Sequence, residues 1–299
     1  MSALLVLDNA RIESGGSAGE PLCARGGDTR LALVGNFRPL FRLLAGDARL
    51  VSGTAELAGE SLSEAVRRGT AGLALLDPPL VPGWTLERYL FESASLAGLT
   101  KSDAQRAGEA ALGYFELTGL RRTRLDTMFA PVRRATFIAL ATLAAPAVLC
   151  VEAPLSDLDA DGQTYVARAL ERAAVGRRLL VSVPTLLPEA AERELVARAD
   201  WVVEEHAGRV VREGAKLERS TRRYLATVTR GGPAFLEALA ARGLAARPTP
   251  LAPVRAGEPT PNDGGQLRVV IEVPATASTR EVLSAAEAAG APLVELSAV

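Results

Sequence analysis

One short stretch of the sequence carries part of the chemistry of a phosphate-binding loop. LVGNFRPLFRLLAG, residues 33–46, runs from an apolar segment through Gly35 into an apolar helical pattern that ends at Gly46. A working phosphate-binding loop has the pattern G-x-x-x-x-G-K-[ST], in which backbone N–H groups, a lysine and a hydroxyl bind phosphates and Mg²⁺. Here the letters NFRPLF follow Gly35, so the second glycine, the lysine and the Ser/Thr are replaced. The stretch alone leaves open whether it is no nucleotide site at all or one that has lost its binding groups.

Composition excludes several other kinds of protein. The 299 residues suit two domains, and a net charge of −1 with 4% aromatic residues argues against nucleic-acid binding. The two cysteines, Cys23 and Cys150, lie far apart without metal-like spacing, so we expect a reduced cytosolic chain and no metal site. The N-terminus lacks the basic segment of a signal peptide. Pro146 divides the uncharged residues 135–151, which predicts a buried helix, a turn and a buried strand rather than a membrane span.

Apolar runs alternate with amphipathic stretches along the first two thirds of the chain. Strands that alternate with helices predict a mostly parallel sheet. The predicted strands are residues 3–8, 30–35, 72–77, 147–152 and 177–183. The predicted helices are residues 38–46, several between about 85 and 145, then 159–174 and 189–199. Residues 200–214 predict a hairpin with its turn near Ala207–Gly208.

The pattern changes after Gly214. Strand, helix, strand, helix and strand are predicted at residues 222–229, 233–243, 267–273, 279–290 and 292–299. A loop rich in Pro, Gly and Asn, residues 248–266, interrupts them. We therefore expect residues 215–299 to form a small second α/β domain.

Six segments of residues 1–214 follow one another in a recognisable order and spacing: LALVG with LFRLLAG, LVSGTAELAGESL, LALLDPPLVPGWTLERYLFESASLAGL, AVLCVEAPLSDLDADG, LLVSVPTLLPEAAE and ADWVVEEHAGRVVREG. In this order and spacing, residues 1–214 resemble the ATP-binding subunit of an ABC transporter. The six segments are similar, in turn, to its Walker A strand and helix, a strand pair, the Q-loop with the start of the helical subdomain, Walker B with the D-loop, the switch segment and the closing hairpin. This resemblance implies a P-loop NTPase core of the ABC ATPase type, with a mostly parallel sheet, an antiparallel edge and a helical subdomain at about residues 82–146. The second domain is similar to the C-terminal extension of some subunits that serve ABC-2-type permeases.

The resemblance also assigns nucleotide contacts to positions of this chain, and other residue types stand there. In the Walker A loop, counted back from Gly46, Phe37 stands for the lysine and Arg38 for the Mg²⁺ ligand. In the other motifs the replaced positions are Leu76 for the Q-loop glutamine, Phe129 for the signature serine, Glu152 for the Walker B aspartate, Ala153 for the catalytic glutamate and Pro184 for the switch histidine. Because these changes occur together, we expect a degenerate member with no catalytic residue. The same changes predict that neither ATP nor Mg²⁺ is a cofactor, and that Ala153→Glu alone restores no activity.

The leading interpretation is a non-catalytic ABC-ATPase-like subunit with a structural or regulatory role in a membrane-associated complex. Its expected partners are an ABC-type membrane permease, another ABC ATPase subunit, or both, with a homodimer left open. We expect the protein to be cytoplasmic and peripheral on the inner membrane through these partners. Within residues 78–90, Trp84, Leu86 and Tyr89 are the candidate contact residues. The alternative for these three side chains is that they pack the helical subdomain.

Two other functions remain open from the sequence. One is a weak, unconventional ATPase that powers a transporter through Arg38, Glu152 and Asp159, although we favour a capping or hydrogen-bonding role for Glu152. The other is a soluble regulatory module that binds another ATPase subunit and no permease. Nucleotide binding distinguishes the enzyme from the other two functions, and co-purification with a membrane protein distinguishes those two from each other.

Overall fold

The computed structural model describes residues 3–186, 191–206, 208–215, 222–249, 267–273 and 279–298. The chain divides into two compact units, Met1–Lys216 and Leu217–Val299. The strands of the first unit are β1 (Leu5–Ser14), β2 (Ser17–Ala18), β3 (Leu22–Gly26), β4 (Arg30–Val34), β5 (Arg49–Leu57), β6 (Glu60–Ser61), β7 (Ala71–Ala74), β8 (Val148–Val151), β9 (Arg178–Val183), β10 (Trp201–His206) and β11 (Arg209–Ala215). Its helices are α1 (Arg38–Ala45), α2 (Leu62–Arg67), α3 (Leu86–Leu96), α4 (Lys101–Tyr114), α5 (Ala130–Ala141), α6 (Ala160–Ala174) and α7 (Ala191–Ala197).

The central sheet of the first unit has six strands in the order β11-β10-β4-β9-β8-β7. All neighbours are parallel except β10 and β11, which form an antiparallel hairpin at one edge. Every residue of β8 is buried, as the apolar run predicted, and β8 lies inside the sheet between β9 and β7. The mostly parallel sheet with an antiparallel edge is therefore confirmed. Its strands bring their carboxyl ends to one side, where α/β proteins place ligands.

A second, antiparallel sheet is formed by β2, β1, β5 and β6, with β3 also paired to β1. Its apolar face shares one core with the parallel sheet, and helix α1 contributes to that core. Phe37 and Phe41 are among the largest fully buried side chains of the core. The segment at residues 33–46 is therefore packed between the two sheets and is a main component of the hydrophobic core.

Helices α3, α4 and α5 form the helical subdomain, together with short 3-10 turns at Thr118–Leu120 and Leu125–Thr127. The hydroxyl of Thr85 accepts the N–H of Arg88 at the start of α3, which satisfies one of the free donors there. The uncharged residues 135–151 form the end of α5, a turn and β8, as predicted. Among the described residues, no helix combines the length and the apolar character needed to cross a bilayer.

The second unit contains β12 (Arg222–Val228), α8 (Gly232–Ala240), β13 (Ala245–Pro248), β14 (Leu267–Val273), α9 (Thr279–Ala288) and β15 (Leu293–Ala298). The strand order is β13-β14-β12-β15, with antiparallel neighbours throughout, and both helices share a core with the sheet. This is a β-α-β-β-α-β arrangement of the ferredoxin-like type. The sequence analysis missed β13, which is a strand of only 4 residues, most of them exposed. The loop predicted at residues 248–266 lies outside the described residues from position 250 onward.

Candidate functional site

The turn that follows β4 is closed by a carboxylate from the neighbouring strand. The Gly35 N–H donates to the carbonyl of Val183 at 2.9 Å. The next N–H, that of Asn36, donates to Oε2 of Glu205 at 2.5 Å. The other carboxylate oxygen, Oε1, accepts the N–H of Gly208 in the β10–β11 hairpin. Glu205 is only 8% exposed, so this carboxylate lies inside the protein and not on its surface.

Gly35 has to be glycine because Glu205 approaches it so closely. The φ angle of Gly35 is 118°, a region that residues with a Cβ atom rarely adopt. A Cβ atom on Gly35 would lie 2.4 Å from the carbonyl oxygen of Glu205 and 2.7 Å from its Oε2. The glycine that the sequence retains from the loop pattern is therefore required by the close approach of Glu205, of which the main-chain oxygen lies nearer than the carboxylate.

The backbone after Gly35 turns directly into helix α1. The Phe37 N–H donates to the Gly35 carbonyl at 3.1 Å, and the Phe41 N–H donates to the Phe37 carbonyl at 3.3 Å. Phe37 is 1% exposed and its ring is part of the core. Arg38 is exposed, and Pro39 in the first turn has no N–H to donate. The chain thus makes a tight turn where a phosphate-binding loop would wrap around its ligand.

Glu152 follows β8 and is bonded to the segment after β7. It is 8% exposed, and its Oε2 accepts the N–H of Leu76 at 3.0 Å. Its own N–H donates to the carbonyl of Ala74 at 2.8 Å. Asp77, the nearby acidic residue, is exposed. In this arrangement Glu152 connects two neighbouring strand ends through a side-chain-to-backbone hydrogen bond.

Ala153 is buried in a sharp turn behind Glu152. It has a φ angle of 42° and is 2% exposed. Its N–H donates to the hydroxyl of Ser182 at 3.1 Å, and Ser182 itself is buried on β9. The methyl group of Ala153 can neither orient a water molecule nor accept a proton, so this position contributes no acid–base chemistry.

An arginine of α5 holds the turn after β8 in place. Nη1 of Arg134 lies 3.0, 3.1 and 2.9 Å from the carbonyl oxygens of Ala153, Pro154 and Ser156. Burial of the guanidinium lowers the pKa of Arg134, and nearby acidic residues such as Asp157 partly oppose that effect. The sequence analysis missed Arg134, Ser182 and Glu205, because each acts through a contact with a distant part of the chain.

The remaining predicted positions have different environments. Phe129 precedes α5 and is 85% exposed, with no cap hydrogen bond from its side chain. Pro184 follows β9 and is exposed. Asp159 caps α6, since its Oδ1 accepts the N–H of Gly162 at 2.8 Å. His206 ends β10 and is exposed. Within the part of the chain that the structure describes, no group of three or more His, Cys, Asp or Glu side chains is placed to hold a metal ion.

The candidate contact residues of the helical subdomain differ in exposure. Leu86 is fully buried, Tyr89 is 8% exposed and Trp84 is partly exposed. The rings of Trp84 and Tyr89 pack edge to face with their centroids 5.2 Å apart. The guanidinium of Arg88 lies 4.5 Å from the centre of the Trp84 ring. Leu86 therefore packs the subdomain, while Trp84 presents part of its ring to solvent.

A groove of about 450 Å³ lies between the helical subdomain and the sheet. Its lining is of mixed character, and its apolar part includes Leu75, Pro79, Leu80, Tyr89, Leu96 and Phe137. Arg67 and Arg68 also line it. Leu96 is 88% exposed, which is unusual for a leucine on a compact subdomain. The groove has the size of a site for side chains of another molecule.

This combination of elements defines the class of the fold. The parallel sheet with its strand–turn–helix at residues 30–45, the second antiparallel sheet and the helical subdomain are those of an ABC ATPase-like P-loop NTPase core, as predicted. One similar solved structure is described as the ATP-binding subunit of an ABC transporter, with a TM-score of 0.56 and 22% identity over 71% of this chain and 90% of that chain. Another is CbiO1 from Clostridium perfringens, described as part of the ABC transporter complex CbiONQ, with a TM-score of 0.58 and 16% identity over 72% of this chain and 89% of that chain.

These similarities are structural. Neither a protein-family model nor a curated protein matches the sequence. At such low identities the similar structures establish the fold, whereas function has to be argued from the groups at the site.

Proposed function

We propose that this protein is an ABC-ATPase-like subunit that neither binds nor hydrolyses ATP and acts through contacts with other proteins. The observation that carries the proposal is the contact between the Asn36 N–H and the buried carboxylate of Glu205. In a phosphate-binding loop, an N–H at such a place is free for the ligand. Here an acidic side chain of the same chain accepts it.

The other groups of the turn do not fit a phosphate either. A bound phosphate needs several aimed N–H donors and a cation, since desolvating its charge without them is costly. Between Gly35 and Phe41, five N–H groups have acceptors within the chain, those of Gly35, Asn36, Phe37, Leu40 and Phe41. Pro39 has no N–H, so in this stretch Arg38 is left as a single donor, where a phosphate needs several. The Phe37 side chain is apolar and buried. The carboxylate of Glu205 beside these amides would also repel a phosphate that approached them.

ATP hydrolysis by a variant with the catalytic glutamate restored tests the catalytic part of this proposal. We expect purified wild-type protein and the Ala153→Glu variant to release phosphate from Mg²⁺-ATP only at the background rate. The new carboxylate would lie beside a turn that cannot hold the γ-phosphate, so a water molecule that it orients would have no bound phosphate to attack. Phosphate release is followed with a coupled fluorescent assay, and tryptophan fluorescence shows whether the variant is folded. Turnover in either protein that disappears after Glu152→Gln would contradict the proposal.

We further propose that the partner is an integral-membrane permease, bound directly or through a second ATPase subunit. The groove between the helical subdomain and the sheet supports this, because its mixed apolar and polar lining and the exposed Leu96 suit the side chains of a partner segment. One structurally similar protein is described as part of a transporter complex. Such a partner would hold this protein at the cytoplasmic face of a membrane.

Site-specific crosslinking tests the partner and its position together. A photoreactive amino acid at Leu96, beside the groove, should give a covalent adduct with a membrane-embedded permease or an ATPase subunit bound to one. The matched control is Val175, which is 67% exposed at the end of α6 and does not line the groove. We expect the yield of the adduct from Val175 to be at least several-fold lower than the yield from Leu96. Equal yields from both sites, or a native protein that purifies with no membrane-linked partner, would contradict the proposal.

A further inference from the structure

We propose that the carboxylate of Glu205 is a built-in ligand that occupies the anion-binding amides of the turn after β4 and keeps that turn closed. The inference rests on the proposed loss of nucleotide binding and adds the group that replaces the nucleotide. It concerns the part of the chain at Gly35, Asn36, Glu205 and Gly208, which lies within one compact unit.

The two oxygens of the carboxylate accept hydrogen bonds from two different segments of the chain. Oε2 accepts the N–H of Asn36 at 2.5 Å, and Oε1 accepts the N–H of Gly208. One side chain thereby connects the turn after β4 with the hairpin between β10 and β11. Hydrogen bonds from backbone N–H groups to an ionised carboxylate are stronger than those between neutral groups. A carboxylate that accepts such donors on both oxygens is the chemical counterpart of an anion in a backbone pocket.

The retained glycine supports the inference independently of these hydrogen bonds. A Cβ atom on Gly35 would lie 2.4 Å from the main-chain oxygen of Glu205 and 2.7 Å from its Oε2, so both the strand and the carboxylate at Glu205 would have to move away from the turn. In a phosphate-binding loop, glycine lets the backbone approach the phosphate. Here the same property lets the backbone approach both the main-chain carbonyl and the carboxylate of Glu205. The glycine is therefore explained without a nucleotide.

The carboxamide of glutamine provides a selective test, because it has one acceptor oxygen and one NH₂ donor in nearly the same shape. In the Glu205→Gln variant, at most one of the two amides can keep its acceptor. We expect amide hydrogen exchange of Asn36 or Gly208 to accelerate about tenfold or more relative to wild type, with residues elsewhere in β4 and β10 unchanged. The control is Glu204→Gln, which alters the preceding, half-buried glutamate of the same strand and should leave both amides unchanged.

A second variant, Gly35→Ala, tests the close approach. It should accelerate exchange at Asn36 as well, because the added methyl group displaces Glu205. Amide-resolved exchange by NMR on the wild-type protein, which requires no mutation, should show both amides protected. Unprotected amides in wild type, or equal exchange in the Glu205→Gln and Glu204→Gln proteins, would overturn the inference. These readouts involve no nucleotide, so a failure of the inference is distinguishable from a failure of the proposed function, which ATP binding would reveal.

Discussion

Replacement of Phe37 by lysine should destabilise the first unit severely instead of creating a phosphate-binding lysine. Phe37 is 1% exposed and belongs to the core between the two sheets. Truncation of a buried phenylalanine alone costs about 3–5 kcal/mol. An ammonium group at this position would also lose its hydration without a partner, which adds to that cost. We therefore expect a loss of at least about 4 kcal/mol in the free energy of unfolding.

Tryptophan fluorescence measures this loss in the first unit alone. The chain has two tryptophans, Trp84 and Trp201, and both lie in that unit. Urea unfolding of the Phe37→Lys protein is compared with that of Arg38→Lys, which alters the exposed neighbour and should change stability by no more than about 0.5 kcal/mol. A Phe37→Lys protein as stable as this control, with new affinity for ATP, would show that residue 37 faces a nucleotide site.

Replacement of Arg134 by methionine should have the next largest effect. Methionine retains much of the apolar packing, but the carbonyl oxygens of Ala153, Pro154 and Ser156 lose their common donor. Each unsatisfied buried acceptor costs about 1–3 kcal/mol, and water can reach part of this site, so we expect a total loss of about 2–4 kcal/mol.

The neighbouring arginine provides the control for this prediction. Arg133 is half-buried like Arg134, and Arg133→Met should cost less than about 1 kcal/mol. The same urea experiment with tryptophan fluorescence compares the two variants. Equal losses would mean that the three carbonyl contacts of Arg134 do not stabilise the turn after β8.

The parallel sheet could be predicted because its strands are continuous apolar runs. β8 and β9 are buried along almost their whole length. A short apolar run that begins after a proline or a glycine is too short for a buried helix, so a buried strand is the favoured prediction. The helix α6 was predictable for a different reason, since Asp159 caps it locally and its apolar residues repeat at helical spacing. In both cases the residues that determine the strand or helix are neighbours in the sequence.

The contacts that define the site are not local, and the sequence analysis missed them for that reason. Asn36 and Glu205 are 169 residues apart in the chain. In the sequence, Glu205 follows another glutamate in a hairpin strand, so its burial is not visible from charge or periodicity. The strand β13 was missed because its pairing with β14, and not its composition, makes it a strand.

Equilibrium binding of ATP tests the central claim most directly. Wild-type protein is titrated with a fluorescent ATP analogue in the presence of Mg²⁺, and unlabelled ATP is then added as a competitor. The account predicts no saturable signal up to about 1 mM analogue, which corresponds to less than about 4 kcal/mol of binding free energy. Saturable binding in the micromolar range that unlabelled ATP displaces would contradict it.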